Sequence, residues 1–476
     1  EKLIKEYLLD NNHKSIISLV PEYGLEKEKE QKEADKLAEY KSTLTNDELE
    51  ELVKKTKELK EYQDTPSSQE DLEKIPMLEL SDIKREPAKD YNDVKSVDGI
   101  KIVHHNIFTN KIAYINMSFD TKCVPDELIP YMGLLGSTLS LMDTKNYTYP
   151  ELTNEININC GGLATGTALY SDKVDFSKNT IVYEVKSKAL YEKVPFVLGM
   201  MEEIMYNTRF DDYKRLKEII ARIKSRLEAS LMGQGHSIAM LECCAQFSES
   251  AYYSDILRGY KYYEFIKKLD EEFEQNKTQI VDKLNKLVGY IFNKDNVIVS
   301  LTADDEGYDC FVKALSAKSC NIKDEHYNTA VRSFIPVNVK TGYTSASQVQ
   351  YVARCGNFVK DGYKYTGALK VLKVIFSYDY LWINVRVKGG AYGCMSGSSR
   401  NGDFYMVSYR DPNLEKTNDI YEGAADYIRN FNVSRRDMVK FIIGTSYTIS
   451  YWQQVIYTLY VQLHRRYVKK RQGRSS

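Results

Sequence analysis

The spacing of apolar positions changes along the chain, and each change marks out a predicted element. Residues 1–24 read as a short helix, a turn at Asp10-Asn11-Asn12 and an apolar strand over 15–20. Residues 26–63 are dense in charge and free of proline. There Ala34, Leu37 and Tyr40 share one helical face, and Leu49, Leu52, Val53, Thr56 and Leu59 share another. Thr45 and Glu48 stand at capping-box spacing at the start of the second run. The pattern predicts a helical hairpin with a narrow apolar stripe, suited to a spacer between larger bodies. A linker containing Pro87 follows over 82–98.

Beyond the linker the spacing alternates between strand and helix periods. Strands are predicted over 111–119, 180–186 and 297–302, and helices over 130–142 and 151–159. Leu216, Ile219, Ile220, Ile223, Leu227 and Leu231 form one helical stripe. Further on come a strand over 349–354, a helix over 366–378, a hairpin over 392–398 and 404–409, and a helix over 415–430. The hairpin turns at Asn401-Gly402, a favoured turn pair. Mixed helices and hairpins predict an α+β class with largely antiparallel sheets.

The chain has 476 residues, room for about three domains at roughly 150 residues each. Hydrophobic residues make up 43% and charged residues 28%, an ordinary balance for packed cores. The net charge is −1, from 66 basic and 67 acidic residues, so neither nucleic acid nor an acidic membrane is indicated as the main partner. No apolar run approaches the ~20 residues of a membrane span, and no signal-peptide pattern is present. The eight cysteines show no C-x-x-C spacing and read as buried, reduced thiols of an intracellular protein.

None of the six histidines, His13, His104, His105, His236, His326 and His464, falls in an H-E-x-x-H or H-x-x-E-H pattern. No metal ligand is expected in this chain. The segment Trp382-Ile-Asn-Val-Arg-Val-Lys-Gly-Gly-Ala-Tyr-Gly393 is distinctive. Two glycines let the backbone turn sharply and let another chain approach. Arg386 and Tyr392 flank the turn and supply donors suited to a peptide carbonyl or a developing oxyanion. Taken alone, the same segment also reads as a bulge with Tyr392 packed in a core.

Arg386-Val-Lys-Gly-Gly-Ala-Tyr-Gly393 and Ser408-Tyr-Arg-Asp-Pro412 resemble the last domain of the presequence-protease and falcilysin branch of the pitrilysin-like peptidases. Ser230-Leu-Met-Gly-Gln-Gly-His-Ser-Ile-Ala239, Phe119-Asp-Thr121 with Pro125-Asp-Glu-Leu-Ile-Pro130, and Ile75-Pro-Met-Leu-Glu-Leu-Ser-Asp82 are similar to further parts of it. The resemblance implies the C-terminal half of a zinc metalloendopeptidase that degrades unstructured peptides such as targeting presequences. Residues 1–25 would end a preceding peptidase domain, 26–90 would be the hairpin linker, and 91–318 and 319–476 two pitrilysin-like domains. Zinc would be bound by the N-terminal half, the partner of this chain. Leu134, Ser137 and Thr138 stand where that half carries ligands and base, which predicts no zinc site here. Arg386 and Tyr392 would act at the zinc site of the other half, and Gly389, Gly390 and Ala391 would border the substrate.

The resemblance also implies that an N-terminal part, with any localisation signal, lies upstream. It implies an intracellular setting: cytoplasm if bacterial, organelle matrix if eukaryotic. Residues 446–476 depart from the branch. They lack proline and end in a basic tail, as a divergent helix or a reading-frame slip would. The competing expectation is a non-catalytic binding or assembly subunit of the same fold, although such a subunit has no use for both Arg386 and Tyr392.

Overall fold

The structure, a computed structural model, describes residues 2–65, 67–83, 92–172, 174–317, 322–345 and 347–452. The predicted linker around Pro87 lies outside the described residues, as does the basic tail beyond Trp452. The chain divides into two compact units, Glu1–Met77 and Leu78–Ser476.

The first unit contains helices Leu25–Thr43 and Asn46–Asp64 at the two runs expected to pair as a hairpin, but Leu37, Tyr40, Leu52, Val53 and Leu59 on their apolar faces are exposed rather than packed together. Thr45 caps the second helix. The Glu48 amide donates to Thr45 Oγ1 at 3.3 Å, and the Thr45 amide donates to Glu48 Oε2 at 2.8 Å. The expected strand over 15–20 does not form. That segment has no ladder partner among the described residues, and Ile16, Ile17, Leu19 and Val20 are each more than four-fifths exposed. An apolar run becomes a strand only where a neighbour takes its backbone groups.

In the second unit the described strands form two sheets. The larger has the order β1 (Asp93–Val97), β2 (Ile100–Asn106), β6 (Val297–Ala303), β3 (Ile112–Asp120), β5 (Asn179–Leu190), β4 (Leu163–Ser171). Only β2 and β6 pair in parallel among these neighbours. Helices Ile129–Thr138, Val194–Tyr206 and Phe273–Ile291 bury their apolar stripes in the same core. The Phe292 ring meets Phe119, Tyr183 and Tyr206 edge-on at 5.1, 5.5 and 6.1 Å. The predicted stripe on Tyr213–Gly233 is buried at Leu216, Ile219, Ile220 and Ile223 and half-buried at Leu227 and Leu231. The helix expected over 130–142 stops at Thr138, where the chain turns into the loop held by Glu203.

The smaller sheet has the order β7 (Ala353–Asn357), β9 (Asp403–Tyr409), β8 (Gly393–Ser398), all antiparallel. The β8–β9 turn contains Asn401 and Gly402, the latter at φ +99°. The strand expected over 349–354 is regular only from Ala353. Before it, Gln350 makes an isolated bridge to Asp411, because Arg410 takes a left-handed φ of +48° and breaks the ladder. The helix expected over 366–378 runs on to residue 387. An α-helical stretch, Ala368–Ile375, continues into two stretches of wider π turns, Phe376–Tyr380 and Trp382–Val387. Leu381, Val385, Ala391 and Tyr421 are buried in the core beneath this sheet.

The two sheets are joined by close contacts. Cys355 and Tyr405 pack against Met240, Leu241 and Cys244 of the Gly235–Ala245 helix. The Tyr351 hydroxyl donates to Met232 O at 2.6 Å. Ser248 Oγ donates to Asp403 Oδ2 at 2.7 Å. The seven described cysteines are all free thiols.

Candidate functional site

The end of the 368–387 helix sets the geometry of the site. Gly390 adopts φ +81°, the left-handed conformation common at helix ends. Its amide donates to Arg386 O at 2.9 Å, and the Ala391 amide donates to Val385 O at 3.1 Å. Gly389 is required for another reason. A Cβ there would stand 2.4 Å from Val385 O. Asn413 Nδ2 donates to Gly389 O at 2.6 Å and ties the turn to the loop after β9.

The backbone then enters β8. The Tyr392 amide is shared between Tyr409 O at 3.1 Å and Arg410 O at 3.2 Å. Arg386 lies one turn past Trp382. Its guanidinium carbon is 3.8 Å from that ring's centroid, a cation–π contact, and its Nε donates to Tyr392 O at 3.0 Å. The Tyr392 ring meets Tyr409 edge-on at 5.8 Å, and Tyr409 meets His236 edge-on at 4.9 Å. Burial holds the His236 imidazole below its ordinary pKa, favouring the neutral ring. Burial pushes the nearby Cys394 thiol up to about 11, although Arg386 pulls it the other way. That cysteine is therefore an uncharged packing residue.

Val349, Arg386, Val387, Gly390, Ala391, Tyr392 and Arg410 line one open cleft of about 510 Å³. The structure thus brings Arg386 and Tyr392 together with Gly390 and Ala391. Gly389 is not part of the cleft lining. The amides of Gly390 and Ala391 are spent on closing the helix, so these residues offer a ligand space rather than donors. Tyr392 is 69% exposed, and its hydroxyl has no partner among the described residues. Arg410 and Trp382 were not singled out from sequence. The i, i+4 spacing of Trp382 and Arg386 is a legible signal for cation stacking on a helix. Arg410 carries no such signal.

The positions aligned with a zinc motif do not fit a metal. Leu134 and Thr138 are fully buried, and Thr138 Oγ1 donates to Leu135 O at 3.1 Å. The Ile129–Thr138 helix presses on β4 so closely that a Cβ on Gly136 would meet Gly166 Cα at 3.2 Å. Thr165 Oγ1 takes up Gly136 O at 2.9 Å. An apolar side chain and a spent hydroxyl give zinc neither ligands nor space. His104 is also structural. Its ring sits 4.6 Å from Tyr308, with Nε2 2.9 Å from Ala303 O, and burial lowers its pKa.

Comparison with known proteins bears on the whole chain. Residues 19–269 match the family model of the domain associated with subfamily C of the M16 peptidases. The chain belongs to this family. In this M16-associated chain, residues 342–474 further match the model of the PreP C-terminal domain, a match that takes in most of the 446–476 segment expected to depart from the branch. It is 39% identical over 450 residues to Protein HypA of Clostridium perfringens, covering 94% of this chain and 46% of that protein. It is 31% identical over 448 residues to presequence protease 1, chloroplastic/mitochondrial, of Arabidopsis thaliana, covering 93% and 41%. The M16-associated chain therefore spans about half the length of these relatives, and what it matches is the C-terminal half of presequence-protease-like M16 peptidases.

Among solved structures, a peptidase M16 inactive domain from Pseudomonas fluorescens covers 78% of the chain and 88% of its own, with a TM-score of 0.51 and 14% identity. A protease from Helicobacter pylori covers 81% and 91%, with a TM-score of 0.54 and 12% identity. These two establish the fold alone. No helix among the described residues is long and apolar enough to cross a membrane.

Proposed function

We propose that the chain is the substrate-chamber half of a zinc metalloendopeptidase that degrades unstructured peptides. Residues 1–25 would close a preceding peptidase domain and 26–90 would connect the halves. Residues 91–318 and 319–476 would be the third and fourth domains. The zinc ion belongs, on this reading, to the partner half and not to this chain. The setting would be intracellular, in cytoplasm or an organelle matrix.

One observation supports this above the others. A guanidinium and a phenol stand on either side of a glycine turn, in one open cleft, with the phenol hydroxyl uncommitted among the described residues. Arg386 is steadied by Trp382 and by the Tyr392 carbonyl, so its remaining N–H groups are aimed in advance. Tyr392 is steadied by the ring series through Tyr409 to His236. Donors fixed before the reaction stabilise developing charge without reorganising. In this proposal Arg386 holds a peptide carbonyl and Tyr392 donates to the oxyanion that forms on it. Strand β8 starts beside the pair and lies at an edge of its sheet, with β9 as its ladder partner among the described residues. An extended peptide can add to such an edge through main-chain bonds, which suits tolerance of sequence.

The test is cleavage of an unstructured peptide by this chain combined with its zinc-binding half. The Tyr392→Phe protein should lose on the order of 10²–10³ in kcat while binding peptide as before. A Tyr392→Phe protein that cleaves as fast as the unaltered one removes the transition-state role.

A further inference from the structure

The cleft holds a second guanidinium that the proposal above does not use. Arg410 lines it together with Arg386. Its φ of +48° lies in the left-handed region, which a side chain of this size enters only where its surroundings impose it. Here the surroundings do so from both sides. The Arg410 carbonyl receives the Tyr392 amide at 3.2 Å. The next residue, Asp411, exchanges two backbone bonds with Gln350, each 2.9 Å. The Asp411 carboxylate is fully buried, receiving Thr417 Oγ1 at 2.8 Å and the Asn413 amide at 2.9 Å. The backbone that aims Arg410 is thus anchored to the core, while its side chain is exposed.

The Arg410 guanidinium carbon lies 5.6 Å from the Tyr409 ring centroid, a cation–π contact that leaves its N–H groups open to an anion. Neither Arg386 nor Arg410 forms an ion pair among the described residues, and no carboxylate lines the cleft. Asp411 faces the interior and is already satisfied. The other lining residues are apolar, apart from the Tyr392 phenol. Two like charges in one cleft repel each other until an anion enters, and a planar guanidinium matches a carboxylate in two-point geometry. The strained backbone thus places an exposed cation, with no carboxylate partner among the described residues, in the same cleft as Arg386.

We propose that Arg410 is a specificity-determining residue that takes a carboxylate of the bound peptide, beside the carbonyl held by Arg386. This rests on the peptide-cleaving function proposed above. The carboxylate is either an acidic side chain or the C-terminus of the peptide, and the two share one recognition chemistry.

The experiment is fluorescence anisotropy with the 476-residue chain and labelled unstructured peptides of about 12 residues. One peptide carries an internal Glu and an amidated end. A second carries Gln and a free C-terminus. A third carries Gln and an amidated end. At least one acidic peptide should bind about tenfold or more tighter than the neutral one, the scale of a hydrogen bond to a charged group. Which acidic peptide gains identifies the source of the carboxylate. Arg410→Gln should erase the preference, Arg410→Lys should keep part of it, and added salt should shrink it. Equal binding of all three peptides, no binding of any, or an Arg410→Gln protein that keeps the preference overturns the assignment. Cleavage by the two halves together is measured separately. Preference without cleavage removes the peptidase reading and leaves Arg410 as a carboxylate site. Cleavage without preference does the reverse.

Discussion

The two adjacent glycines at the site differ in what they need, and alanine at each separates the two needs. At Gly390 the need is conformational. With φ at +81°, alanine costs about 1–2 kcal/mol for the left-handed backbone alone. Its Cβ meets nothing nearer than Pro412 Cγ at 3.5 Å, an ordinary contact. At Gly389 the need is steric. A Cβ would stand 2.4 Å from Val385 O and 2.9 Å from Asn384 O. Both are backbone atoms, so neither can swing aside, and the helix end must open. The overlap costs roughly 1–3 kcal/mol. Opening also strains the bonds from Gly390 to Arg386 and from Ala391 to Val385, each worth about 1 kcal/mol. Gly389→Ala should therefore lower stability in urea unfolding by more than Gly390→Ala does. It should also weaken peptide binding, because the opened turn carries Arg386 and Tyr392 apart. Gly390→Ala should bind peptide within about twofold of the unaltered chain, since its cost lies in a local dihedral rather than in displacement. A Gly389→Ala protein as stable as the Gly390→Ala protein would refute the steric reasoning.

Two further substitutions probe the scaffold. Thr45→Ala removes the side-chain oxygen that receives the Glu48 amide, so the Asn46–Asp64 helix should lose about 1 kcal/mol. Loss of helical circular dichroism at lower temperature would report it. Glu203 is buried and accepts from the Asn146 amide and from Asn146 Nδ2 and Asn207 Nδ2 at 3.1, 2.8 and 2.7 Å. Burial raises its pKa, but hydrogen bonds from Thr144, Asn207 and Asn146 outweigh that, leaving it below the ordinary carboxylate value. A lowered folded pKa means stability that is fully present above the unfolded value near 4.5 and lost as pH falls through the folded one. Glu203→Gln should lower stability by about 1–3 kcal/mol at neutral pH and flatten the acid limb of a stability–pH curve. An unchanged acid limb would show that Glu203 does not carry it.

How much could be read from sequence depended on whether the signal was local. The capping box at Thr45 and Glu48, the Asn401-Gly402 turn and the strand over 180–186 rest on short-range patterns, and each element appears where expected, although Ile181 to Val185 are buried on both faces rather than alternating. The apolar residues over 15–20 carry the same kind of pattern but no partner, and pairing is not a local property. Strand β7 starts later than its residues suggest because a left-handed Arg410, far along the sequence, interrupts the ladder. The glycine turn with Arg386 and Tyr392 was legible from its residue types. The cleft that joins them to Arg410 was not, since it depends on the backbone bend after β9. Nor did the apolar spacing over 366–387 separate α turns from π turns, because both bury similar faces over so short a run.

Those wide turns make the site sensitive to residue count. Each i→i+5 loop stores one more residue than an α turn, so the bearing of Arg386 about its axis depends on how many residues precede it. An α-helix advances about 100° per residue and a wider turn somewhat less, so deleting one position within 376–385 would swing the guanidinium through roughly a quarter of a revolution. Exchanges on the outer face of this segment should be tolerated. A single insertion or deletion should disable the cleft while leaving every one of its lining residues in the sequence.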